Sequence, residues 1–132
     1  MAPNEINVLL DRSDWGWPTA VEQLFAPRGI RAMVAGSAGE AVDILESRRV
    51  HVALLDVDSQ ASGGLSMVRA IRGYEPFLPC ITVSSRWERP LLGEALELNV
   101  FSVIAKPVDM HVLQRQLNKL FMKEYSSDLF ST

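Results

Sequence analysis

Five short apolar runs alternate along the chain with longer stretches in which apolar residues recur every third or fourth position. The runs are INVLL (6–10), RAMVA (31–35), HVALLD (51–56), CITVS (80–84) and FSVIA (101–105). They are brief, often β-branched and nearly free of polar alternation, as strands buried on both faces should be. Between them, TAVEQLFAPRG sets Val21, Leu24 and Phe25 at helical spacing and stops at Gly29. SAGEAVDILESRR opens with Ser37 and Glu40 at capping-box spacing and carries Ala41, Ile44 and Leu45 on one face. GLSMVRAIRGY supplies Leu65, Val68 and Ile71, with Gly73 as a stop. RPLLGEALEL starts a helix at Pro90, and DMHVLQRQLNKLFM starts one at Asp109 as N-cap, with Leu113, Leu117, Leu120 and Phe121 as its apolar stripe.

Strand then helix, repeated five times with right-handed crossovers, predicts an α/β fold with a parallel sheet covered by helices on both faces. At 132 residues the chain makes one domain. Its expected extent is 1–122, with residues 123–132 (KEYSSDLFST from Lys123) read as a polar tail, a frayed end or the start of a linker. The composition, 48% hydrophobic and 22% charged, is that of a globular protein. A net charge of −3 argues against a nucleic-acid surface. Cys80, alone, excludes an intramolecular disulfide or a cysteine-built zinc site and reads as a small core residue. No apolar run approaches the roughly 18 residues of a membrane span, and the N-terminus has no signal-peptide pattern, so the cytoplasm is the expected location.

In doubly wound sheets the functional site lies at the carboxyl ends of the strands. There the first run ends at Asp11, the third at Asp56, the fourth at Ser84, and the fifth is followed by Lys106 and Pro107. A carboxylate, a small hydroxyl and an amine on one rim suit the holding of a phosphoryl group. The carboxylate acts as nucleophile, and the other two donate to the oxygens of the transferred group. Pro107 biases the backbone of Lys106 toward an extended form that aims its side chain.

These motifs resemble those of the receiver domain of bacterial two-component response regulators, over residues 5 to 122. HVALLDVDSQASGGL is similar to the family's phosphoacceptor loop, with Asp56 at the strand end and a glycine further on at Gly64. LPCITVSS resembles its fourth strand, with Ser84 in place of the switch Thr or Ser, and VIAKPVD resembles its Lys-Pro motif at Lys106. The resemblance implies a flavodoxin-like five-stranded sheet, (βα)5, with strand order 2-1-3-4-5. It implies phosphorylation of Asp56 by a histidine kinase or phosphotransfer protein, with Mg²⁺ assisting. It also implies a change on the helix 4–strand 5–helix 5 face, in a switch or docking module rather than an enzyme with turnover.

Three departures from the family pattern alter the expected chemistry. Where two adjacent acids usually follow strand 1 and hold Mg²⁺, this chain has Asp11-Arg12. The remaining metal candidates are Asp11, Asp56 and Asp58, with Asp14 able to return a charge if its loop folds back. An arginine beside Asp56 would pair with it and fill the space of a metal. Arg12 is therefore expected to stand in for the cation and leave Mg²⁺ binding weak or lost; the competing arrangement turns Arg12 to solvent and lets Asp14 or Asp58 help ligate metal. Gln60 stands where a proline is common, and Val103, stiff at χ1, stands where an aromatic often swings.

Smaller signals have plainer readings beside the functional ones. Trp17 packs in the first helix with Trp15 half exposed, or the two form a lid or partner contact; Trp87 caps the rim or anchors a partner. His51 and His111 lack a second ligand at metal spacing and read as structural. Met110, Leu113 and Met122 form either an exposed face for a homodimer through the last helix or ordinary core. Two rival functions stand beside the receiver. One is a pseudo-receiver that binds a partner without metal or phosphate. The other is a flavodoxin-like binder of nucleotide or flavin, using GSAGE, which lacks a P-loop ending and a full GxGxxG.

Overall fold

The computed structural model describes residues 5–12, 17–59 and 65–131. The apolar runs become strands at Asn7–Asp11 (β1), Arg31–Ala35 (β2), Val52–Asp56 (β3), Cys80–Ser84 (β4) and Ser102–Ala105 (β5). All pair in parallel, in the order β2-β1-β3-β4-β5. The first helical segment, α1 (Trp17–Ala20), continues through a wider turn at Val21–Phe25 and a tight one at Ala26–Arg28. It stops at Gly29, whose φ of 70° a side chain would resist. The others are α2 (Ala38–Ser47), α3 (Ser66–Tyr74), α4 (Leu91–Glu97) and α5 (Met110–Tyr125).

Because successive strand residues face opposite ways, each strand feeds two cores. Val8, Leu10, Val52, Leu54, Ile81, Val83 and Ile104 meet α1 and α5; Leu9, Ala53, Leu55 and Cys80 meet α2, α3 and α4. Cys80 is fully buried, and burial pushes its thiol up to about 11, which suits an inert core residue. Two helix starts carry the caps expected of them. Ser37 Oγ accepts the Glu40 N–H at 3.1 Å, while Glu40 reaches back to the Gly36 N–H at 2.5 Å, one residue earlier than in a standard capping box. Asp109 accepts the His111 N–H at 2.7 Å.

The C-terminal segment departs from the expected frayed tail. Helix α5 runs to Tyr125, Ser126 turns left-handed, and the chain folds back over α5. Phe130 is 1% exposed, with ring centroids 5.0 Å from Phe121 and 6.2 Å from Phe25, and Arg28 lies over its face. Arg28 Nε donates to the Leu129 carbonyl and Gln114 Nε2 to that of Phe130, so the polar backbone of the segment is also satisfied. The pair Leu129-Phe130 in an otherwise polar run is too short to give a periodic signal, which is why the sequence pattern hides it.

The apolar residues of the last helix divide between core and surface. Leu113 lies in the core, Met110 packs against it, and Met122 is exposed. His51 is structural: its Nδ1 accepts the Asn7 N–H, and its ring packs edge-on against Tyr125, whose hydroxyl donates to the His51 carbonyl. Among the described residues no helix is long and apolar enough to cross a membrane. Replacing Phe130 by Ala should lower the unfolding free energy by about 3 kcal/mol. Phe77→Ala, at a ring 92% exposed, should change it by less than about 0.5 kcal/mol. Urea unfolding of both variants measures this, and equal effects would show that the tail is not part of the fold.

Candidate functional site

The parallel register brings the ends of β1, β3 and β4 and the residue after β5 to one rim. Asp11, Asp56 and Ser84 are all buried there, and Lys106 is mostly buried. A carboxylate survives such burial only if donors surround it, and each does so differently.

Asp11 is held as a structural group. Its Oδ1 accepts the Trp17 indole N–H at 2.7 Å, and its Oδ2 accepts the Asp56 backbone N–H and the Ser59 hydroxyl, each at 3.0 Å. Burial raises its pKa and these donors lower it, with the raise prevailing. Trp17 therefore has both the core packing expected of it and a polar role, since its ring is 3% exposed and its N–H fixes Asp11.

Asp56 closes the loop after β3 on itself. Its Oδ1 accepts the Asp58 N–H at 3.0 Å, and its carbonyl accepts the Ser59 N–H, as in an Asx turn. Its Oδ2 lies 2.8 Å from Lys106 Nζ. That turn delivers Asp58 to the donors at the ends of β4 and β5. Asp58 Oδ1 accepts the Ser84 hydroxyl at 2.7 Å, and Oδ2 accepts the Ser85 N–H at 2.8 Å and the Ser85 hydroxyl at 2.9 Å. Lys106 Nζ lies 3.2 Å from Asp58 Oδ2, and Arg86 Nη2 lies 3.5 Å from Oδ1. Partial burial would raise the Asp58 carboxyl, but the bonds from Ser84, Ser85 and Lys106 outweigh it and hold the group well below the usual carboxylate range. Burial likewise lowers the Lys106 ammonium, and its two carboxylate partners more than reverse this.

The expectation for Arg12 is corrected. Its side chain is exposed, and its backbone N–H pairs with Ala35. Its guanidinium lies over Gly36, where a Cβ would come within 3.0 Å of Cζ and Nη1. Gly36 follows β2, on the far side of β1 from β3, so the absent side chain there gives Arg12 a resting place away from Asp56. The cation beside Asp56 is Lys106. Trp87, weighed as a rim cap or partner anchor, is half-buried and donates to the Ile104 carbonyl of β5 at 2.8 Å. Val103 packs against the same core cluster as Trp87. Asp14, Trp15, Gln60 and Gly64 lie outside the described residues.

Comparison with known proteins fits this geometry. The family model of the response regulator receiver domain matches residues 17–118, a span that takes in Asp56, Ser84 and Lys106. The chain belongs to the response regulator receiver domain family. Its fold superposes on a response regulator receiver protein from Pseudomonas putida with a TM-score of 0.76 and 28% identity, covering 90% of this chain and 99% of that one. The signal receiver domain of an HD domain-containing protein from Pseudomonas fluorescens Pf-5 gives a TM-score of 0.79 at 21% identity, covering 94% of this chain and all of that one. Among curated proteins, the transcriptional regulatory protein ZraR of Escherichia coli is 23% identical over 97% of this chain, which spans only 29% of ZraR. Sporulation initiation phosphotransferase F of Bacillus subtilis is 20% identical over 85% of this chain and 90% of its own length.

Receiver domains generally bind Mg²⁺ at an acidic pocket. The carboxylates of this receiver domain, as placed, do not fit that ion. Every oxygen of Asp11, Asp56 and Asp58 already accepts a hydrogen bond, and Asp58 is drawn toward Lys106 and Ser85. Among the described residues no three acids, histidines or cysteines gather around a common point. An octahedral ion with several oxygen ligands would need those bonds broken first.

Sequence reasoning missed Ser59, Ser85 and the polar role of Trp17. Ser85 had a signal, a second serine beside the switch position; the other two depend on how loops close, which spacing does not encode. The opposite pKa shifts of the two acids make a testable contrast. Asp58, depressed, contributes stability that is present above its ordinary value of 3.8 and lost as pH falls through its folded value. Asp11, raised, contributes stability that is present below 3.8 and lost as pH rises through its folded value. Urea unfolding between about pH 5 and about pH 2.5 should therefore show a shallower acid loss of stability in Asp58→Asn than in the wild type. Equal slopes would mean that Asp58 is not bonded as described.

Proposed function

We propose that this receiver domain is a phosphoacceptor switch of a two-component phosphorelay, taking its phosphoryl group on Asp56 from the phosphohistidine of a sensor kinase or phosphotransfer protein in the cytoplasm. The observation that carries the reading is the contact between Asp56 Oδ2 and Lys106 Nζ at the carboxyl ends of β3 and β5, beside the Ser84 hydroxyl. A carboxylate oxygen of Asp56 attacks phosphorus, the phosphorus–nitrogen bond breaks, and the imidazole nitrogen leaves with the electron pair. The ammonium of Lys106 neutralises charge on the transferred group, and the hydroxyl of Ser84 and the N–H of Ser85 donate to its oxygens.

The same donors connect the site to the opposite edge of the sheet. Ser84 Oγ accepts the Arg86 N–H, and Trp87, one residue on, is tied to Ile104 of β5. Movement of Ser84 and Ser85 toward a phosphoryl group thus pulls on β5 through Trp87, and the α4–β5–α5 face is the surface that changes. Trp87 supplies this link where Val103 has no aromatic ring to swing.

Incubation with phosphoramidate in Mg²⁺ buffer, followed by intact mass spectrometry, tests the acceptor. One hydroxylamine-labile phosphoryl group is expected on the wild type and none on Asp56→Asn. A label that persists in Asp56→Asn places the acceptor elsewhere, and no label on any variant favours a module that docks without phosphate.

A further inference from the structure

We infer that Asp58 is a resident anion: in the free protein its carboxylate occupies the seat formed by Ser84, Ser85 and Lys106, and a phosphoryl group on Asp56 must displace it. The inference concerns the free protein, and only its consequence for phosphorylation rests on the reading of Asp56 as acceptor.

The geometry is that of an occupied anion site. Two carboxylate oxygens take a hydroxyl, a backbone N–H, a second hydroxyl and an ammonium, at 2.7, 2.8, 2.9 and 3.2 Å, with Arg86 at 3.5 Å from the solvent side. These are charge-assisted bonds, the stronger kind. The proton of Ser84 is committed to Asp58, because its Oγ already accepts the Arg86 N–H at 2.9 Å. The Asp58 backbone is pinned by its own N–H to Asp56 Oδ1, so the side chain can leave by rotation without the loop unfolding.

A phosphoryl group presents three acceptor oxygens and about −1.5 to −2 charges. It needs the donors that Asp58 holds and repels the carboxylate that holds them. Asp58 therefore does two things. It weakens the binding of a phosphoryl group at Asp56, and it keeps Ser84, Ser85 and Lys106 gathered around an anion before any phosphoryl group arrives. The second effect biases the free domain toward the arrangement of the phosphorylated one.

The test is amide NMR of Ser84, Ser85 and Arg86 in the wild type and Asp58→Asn, each free and titrated with beryllofluoride in Mg²⁺ buffer. Asp58→Ala serves beside it, because the amide of Asn could refill part of the seat. In both variants the free-state Ser85 amide should move away from its wild-type position. Beryllofluoride should return it toward that position, and should bind the variants at least about tenfold more tightly than it binds the wild type. A free Ser85 amide that stays in place in both variants, or weaker beryllofluoride binding by them, overturns the inference. If the Ser85 amide moves in the variants but no protein responds to beryllofluoride, Asp58 is the resident anion and the reading of Asp56 as acceptor is the part that fails.

Discussion

One ammonium group serves two carboxylates at the rim of this sheet. Lys106 lies 2.8 Å from Asp56 and 3.2 Å from Asp58, and the remaining geometry follows from that division. A buried carboxylate without a cation or several donors is too costly to keep ionised. Asp56 has Lys106 and the Asp58 N–H as partners; Asp58 adds Ser84 and Ser85. The turn after β3 is closed by these bonds, and with it the distance between the acceptor position and the β4–α4 loop.

Asp11 completes the arrangement from below. Its carboxylate is spent on Trp17, Ser59 and the Asp56 backbone, so it braces the end of β3 and joins the first helix to the site. In a receiver domain with a pair of acids here, the extra charge would have to be met by a cation. In this chain Arg12 follows Asp11 and rests over Gly36, and the acids that remain are balanced by Lys106 and by neutral donors. Every carboxylate oxygen at the site is thus met by a donor, and a divalent ion would have to displace those bonds.

Much of this was legible in the sequence, for identifiable reasons. Runs such as HVALLD and CITVS are apolar and buried on both faces, which fixes a parallel sheet and places Asp56, Ser84 and Lys106 on one rim, whereas the edge run RAMVA leaves Arg31 and Val34 exposed. The Ser37 and Asp109 caps depend on neighbours a few residues away, and local patterns predict them. The direction of Arg12 was not legible, because a long side chain at a strand end chooses among partners on adjacent strands, and the absent side chain at Gly36 decided it. Nor was the packing of Phe130, which with Leu129 makes an apolar pair too short to show a period in a polar segment, or the bond from Trp17 to Asp11, which a loop closure creates.

The most direct test of the account is a scalar coupling across a hydrogen bond, from the ¹⁵N of Ser85 to the side-chain carboxyl ¹³C of Asp58, in the free wild-type protein. A resolved coupling is expected, with a Ser85 amide that exchanges slowly with solvent. An absent coupling together with fast exchange would contradict it, since Asp58 would then be outside the seat and the donors at the end of β4 would be open to water.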